Sequence, residues 1–89
     1  MSEPVKATRR REYGELINPG DFLWNCVGEL WIYFRCPCGC GDTTGVPVQG
    51  PKRWEFNGNM DEPTLTPSLL RLDGCGWHGY LTDGYFRQC

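Results

Sequence analysis

Short alternating apolar runs, turn-forming dipeptides and two separated groups of cysteine and histidine predict a mostly β fold. The expected architecture is a small antiparallel sheet with hairpins, closed by a zinc site. The runs have a period of two, which places successive side chains on opposite faces of a strand. No segment sustains the 3.6-residue period of a helix. The thiols cluster in Cys36-Pro37-Cys38-Gly39-Cys40-Gly41, and a second group follows far along the chain as Cys75-Gly76-Trp77-His78.

With 89 residues the chain reads as one domain. A chain of that size buries a modest core and often needs a covalent or metal crosslink. Six cysteines can provide one. The polar start of the chain has no apolar stretch of the kind a secretory leader carries, and no run approaches a membrane span of ~20 apolar residues. A reducing compartment, the cytoplasm, is therefore expected, and there clustered thiols point to metal rather than disulfides. Cysteines at i, i+2 and i+4 are also badly placed to pair with one another.

Two segments are expected: a flexible charged tail over 1–14 and a zinc-binding β domain over 15–89. The net charge of −2 is unevenly spread. Lys6, Arg9, Arg10 and Arg11 outweigh Glu3 and Glu12, so the first twelve residues are basic and the remainder acidic. An acidic body is a poor partner for a phosphate backbone. The Arg9–Arg11 run can touch nucleic acid or an acidic protein, although a solvated tail is the commoner use of such a run.

Asn18-Pro19-Gly20-Asp21 is turn chemistry. Phe22–Cys26 and Glu29–Cys36 then read as strands flanking Gly28. In the second, Leu30, Ile32, Phe34 and Cys36 share the core face, while Trp31 and Tyr33 lie on the other. The two aromatics suit an interaction surface, a base-stacking platform, or packing beneath the tail. Cys26, alone on its strand, reads as a small buried apolar residue. Thr43–Val48 and Lys52–Phe56 are further strands, and Asn57-Gly58 is a turn. Pro63-Thr64-Leu65-Thr66-Pro67-Ser68 reads as an edge segment feeding Leu69–Leu72, because prolines donate nothing to a ladder. Thr64, Thr66 and Ser68 form a hydroxyl row, available to a ligand or to nearby backbone groups. Asp73-Gly74 is a turn, and Asp83-Gly84 is a type I′ hairpin signal. A two-residue loop there pairs Thr82 with Tyr85, and continuing that register brings Cys89 opposite His78.

The candidate ligands are Cys36, Cys38, Cys40, Cys75 and His78, with Cys89 as a possible replacement. A structural Zn²⁺ takes four, so one knuckle thiol is expected to be spare. His78 is the chain's sole histidine, three residues after a cysteine, which favours ligation over a plain structural role. A catalytic zinc would need an open position and a carboxylate base. Glu55, Asp61, Glu62 and Asp73 are available, but no pattern places one at the metal. With His78 assigned to metal, no nucleophile–histidine pair is evident.

The ordered set Cys-Pro-Cys-Gly-Cys-Gly, Val46-Pro47-Val48, Trp54-Glu55-Phe56-Asn57-Gly58, Pro63-Thr64-Leu65-Thr66-Pro67-Ser68-Leu69-Leu70, Cys75…His78 and Asp83-Gly84 resembles a group of small phage and prophage proteins. These are of unknown function and often carry an automatic ammonia monooxygenase label, a chemistry that one histidine cannot house. It also resembles a bacterial domain of unknown function with the same signposts. The resemblance covers roughly 34–89 and implies a small zinc-binding β domain from a phage or mobile element.

The function expected from these readings is a non-enzymatic interaction module, a phage-encoded factor acting on a host protein. The alternatives are a zinc-dependent hydrolase with an open metal position, and a nucleic-acid binder using Arg9–Arg11 with Trp31 and Tyr33. Since a structural zinc can supply ~10–16 kcal/mol against a typical net stability of ~5–15 kcal/mol, the metal-free chain is expected to be largely unfolded. A chelator-treated sample should lose its dispersed amide NMR spectrum; retention of that dispersion would count against a metal-dependent fold.

Overall fold

The computed structural model describes residues 3–70 and 75–88, without the side chain of Leu70. Among the described residues nine strands form two sheets around one core. The strands are β1 (Val5–Lys6), β2 (Thr8–Arg9), β3 (Asp21–Val27), β4 (Glu29–Arg35), β5 (Thr43–Pro47), β6 (Glu55–Phe56), β7 (Leu65–Leu70), β8 (His78–Thr82) and β9 (Tyr85–Gln88). One sheet has the order β1-β9-β8-β7-β6 and the other β2-β3-β4-β5. No helix among the described residues is long and apolar enough to cross a membrane.

The hairpins follow from the turn residues. Gly28 has a φ of +82° and joins β3 to β4, with Phe22 opposite Phe34 and Val27 opposite Glu29. Asp83 and Gly84 both have positive φ, as a type I′ turn requires, and Thr82 pairs with Tyr85, Leu81 with Phe86 and Tyr80 with Arg87. That is the register expected from the Asp-Gly pair. Cys89 and the Asp73-Gly74 turn lie outside the described residues.

Period-two alternation builds the core. Phe22, Ile32, Phe34 and Cys36 come from one sheet, and Leu65, Leu69, Leu81 and Phe86 from the other. The Phe34 and Phe86 rings meet across the interior with centroids 5.1 Å apart. Trp77 is buried and packs edge-on against Phe86.

Residues 1–14 were expected as a flexible tail. The described part of that segment instead supplies an edge strand to each sheet. Val5 pairs with Phe86, and Thr8 pairs in parallel with Asp21. Between them Ala7 is buried and donates its N–H to the Gly84 carbonyl. The segment crosses close to Gly20, where a Cβ would stand 2.7 Å from the Lys6 carbonyl oxygen. Backbone hydrogen bonds, which need no apolar period, hold it in place. Tyr13–Glu15 forms one 3₁₀ turn, and the Tyr13 ring lies edge-on to Tyr33, itself stacked on Trp31. Both Trp31 and Tyr33 are thus partly covered, as in the packing alternative.

Two further expectations need correction. The 63–68 segment does not lie at an edge, because β7 runs between β8 and β6. Its ladder to β8 is interrupted between Leu65 and Leu69, and Pro67 sits in that interruption, so its missing N–H breaks no regular ladder bond. Cys26 is exposed rather than buried, because β3 leaves the core after Trp24 and its last three residues face solvent.

If residues 5–9 belong to the folded unit, Ala7→Asp should lower stability by at least about 2 kcal/mol, since it buries a carboxylate between the sheets. Urea denaturation reads this directly; an unchanged midpoint would return the segment to the status of a tail.

Candidate functional site

Strand β4 ends by pointing Cys36 into the core, where it is fully buried. The chain then turns back on itself. The Gly39 N–H bonds the Cys36 carbonyl at 3.2 Å, and the Cys36 N–H bonds the Asp42 carbonyl at 2.8 Å. Gly39 and Gly41 have φ of +88° and +89°, a conformation that glycine adopts without a steric penalty. This knuckle presents Cys38 and Cys40 at the surface beside Cys36. The loop before β8 brings Cys75 to the same place.

Sulfur atoms of Cys36, Cys38, Cys40 and Cys75 all lie within 4.8 Å of one another. Cys36 is 3.2 Å from Cys38 and 3.4 Å from Cys75, and Cys38 is 3.1 Å from Cys75. These separations exceed the ~2.05 Å of a disulfide. Four sulfurs at about 2.3 Å from a tetrahedral ion would stand about 3.8 Å apart, so a modest outward shift seats one. Four thiols fit a soft cation, and the set can hold a metal ion. All three knuckle thiols join the group, so none of them is set aside.

The thiols also polarise one another. Cys38 donates to Cys75, and that bond is the main reason the Cys75 thiol is brought down to about 7, with the Trp77 backbone N–H adding to the effect. The same bond, then burial and the contact with Cys36, pushes Cys38 up to about 12.

His78 is not in the thiol group. Alternation along the strand explains why: Trp77 points into the core and His78 points out, onto the solvent face of the β7–β8 pair. There its Nε2 lies 2.8 Å from the Ser68 Oγ. Leu70 and Leu69 pair with His78 and Gly79, which sets Ser68 of β7 within reach. The hydroxyl row therefore divides. Thr64 Oγ1 accepts the Asp83 N–H at 2.8 Å, a turn-stabilising use, whereas Ser68 meets the imidazole.

A serine hydroxyl against an imidazole nitrogen is the arrangement that activates an oxygen nucleophile. Ser68 was visible in the sequence only as one hydroxyl among three. The signal that could have singled it out was the register of β7 against β8, which the two prolines obscured. Of the carboxylates considered as bases, Asp61 pairs with Arg9 at 3.1 Å and Glu55 with Arg53 at 3.9 Å. The side chain of Glu62 lies against Gly84, and Asp73 is outside the described residues.

Residues 9–89 match the family model described as "Bacterial ubiquitination-like system serine protease (BubE)". No curated protein and no solved structure matches the chain. The family is described as bacterial, and the match does not extend to the phage origin that the motif resemblance implies.

The two groups of residues predict different responses to substitution. Cys36→Ser and Cys75→Ser should each reduce bound metal, measured per chain by elemental analysis, whereas His78→Ala should leave it unchanged. Acidification should release the metal, because thiolates bind it and protonated thiols do not. Metal loss in His78→Ala would place the imidazole among the ligands.

Proposed function

Since the chain belongs to the BubE family, we propose that it is a serine hydrolase of a bacterial ubiquitination-like system, cleaving an acyl bond to a ubiquitin-like protein. The observation that carries this reading is the 2.8 Å contact between Ser68 Oγ and His78 Nε2. It is reinforced by the family's description as a serine protease and by the solvent-facing side of the sheet that carries an exposed His78 and a half-buried Ser68.

In this reading Ser68 Oγ attacks the carbonyl carbon of the scissile bond while His78 Nε2 takes the hydroxyl proton. The tetrahedral adduct collapses, the carbon–nitrogen bond breaks, and the imidazolium gives its proton to the departing amine. An ester to Ser68 remains. Water, deprotonated by the same imidazole, attacks the ester, the proton returns to Ser68 Oγ, and the acyl group leaves as a carboxylic acid. An ester substrate follows the same path with an alcohol as leaving group.

The metal has a structural role in this proposal. Cys36, Cys38, Cys40 and Cys75 would hold Zn²⁺, for which four thiolates form a closed shell with no seat for a reacting water. The ion would tie the knuckle to the loop that leads into His78. This differs from a zinc hydrolase, in which the metal itself activates water. The interaction-module reading draws on the same need for a protein partner but gives Ser68 and His78 no task.

A fluorophosphonate probe should label the wild-type chain on the peptide containing Ser68, and Ser68→Ala should abolish the label. Hydrolysis of a ubiquitin-like protein bearing a C-terminal fluorogenic amide should fall at least about 10³-fold in Ser68→Ala and in His78→Ala. Activity that persists in Ser68→Ala at the wild-type rate would refute the assignment.

A further inference from the structure

The Ser68–His78 pair lies on the solvent face of the five-stranded sheet. Two hollows of about 580 and 360 Å³ lie elsewhere, the first lined by Arg9–Arg11, Trp24 and Asp61, the second by Trp31, Pro47 and Trp54 with their neighbours. Neither contains the serine or the histidine. Enzymes acting on small molecules usually enclose most of the ligand in a pocket. A nucleophile on the solvent-facing side of a sheet, outside both hollows, suits a substrate that brings its own surface.

The same face supplies anchors for such a surface. On β8, His78 and Tyr80 are exposed while Gly79 and Leu81 are buried. On β9, Tyr85 and Arg87 are exposed while Phe86 is buried. Tyr80 stands directly opposite Arg87, and Thr82 opposite Tyr85. Among the described residues the exposed large apolar side chains are Tyr13, Ile17, Val27, Tyr80 and Tyr85. Tyr80 and Tyr85 are the two that share a sheet face with the serine–histidine pair. Tyrosine and arginine are also the residue types that dominate binding energy at protein interfaces.

Resting on the serine-hydrolase reading for the location of the scissile bond, we propose that Tyr80, Tyr85 and Arg87 form the docking surface for a folded protein substrate that feeds a short extended tail to Ser68. The spacing defines the substrate. Tyr80 is two residues from His78, and Tyr85 lies opposite Thr82, four residues from it. At about 3.4 Å per residue the anchors stand about 7–14 Å from the imidazole, a span of roughly two to four extended residues. The body of the partner sits over the β8–β9 hairpin, presenting an apolar patch to the tyrosines and a carboxylate to Arg87. Its tail runs along β8 toward the nucleophile.

The test measures binding without turnover. In a Ser68→Ala background, the affinity for the ubiquitin-like protein of such a system is measured by calorimetry. Adding Tyr80→Ala with Arg87→Ala should weaken it about tenfold or more. Val27→Ser, on the other sheet, should leave it unchanged. Amide dispersion in the NMR spectrum verifies that each variant is folded. Equal affinity in the double variant, an equal loss in Val27→Ser, or no binding of this protein at all overturns the proposal. If the Ser68→Ala pattern is as expected but the wild-type chain fails to cleave the fluorogenic amide, the docking surface stands and the hydrolase reading falls.

Discussion

The meeting of Cys36 and Cys75 is the contact on which the remaining architecture depends. It joins the end of β4 to the start of β8, and so one sheet to the other, at a point 39 residues apart in sequence. Around it the local preferences agree. Glycines let the knuckle turn, strand alternation buries Cys36, and Trp77 fills the core beside the loop that carries Cys75. The buried apolar cluster is small, and thiols bound to one ion would add a crosslink that its area alone cannot supply.

Such a crosslink would organise the candidate chemistry without entering it. His78 lies three residues beyond Cys75, so whatever fixes the loop also fixes the start of β8. The imidazole then needs only the outward phase of the strand to reach Ser68. Two sites that look like one in the linear order are thus separated by a half-period of the pleat. One face of the strand serves the interior and the other serves solvent.

Much of this fold could be read from residue types. The β3–β4 and β8–β9 hairpins follow from Gly28 and from Asp83-Gly84, and the core face of β4 from its alternation. The thiol group was legible because cysteines at C-x-C-x-C spacing are badly placed to pair with one another and suit a shared metal ion. What escaped notice depends on contacts between distant backbones. The strands at 5–9 are two residues each and carry no apolar pattern, so their pairing cannot be seen before the sheets exist. The partner of His78 was hidden for a similar reason. A C-x2-H spacing attracts a metal reading, and only the β7–β8 register shows that Ser68 lies beside the imidazole nitrogen. Pro67 made β7 look peripheral, because the interruption that accommodates it is a property of the ladder and not of the residue.

Asp21 is almost wholly buried, yet its carboxylate accepts the N–H groups of Ile17 and Asn18 and faces the Arg10 guanidinium at 3.3 Å. It thereby holds the approach to β3 and the end of the crossing segment from within. The β1 strand, by contrast, takes its ladder partner from β9. Val5 pairs with Phe86, 81 positions further along the sequence, whereas Thr8 pairs with Asp21, only 13 positions away. The same short segment thus edges one layer through a contact remote in sequence and the other through a nearby one, and the loop that must be closed is far longer for the five-stranded layer.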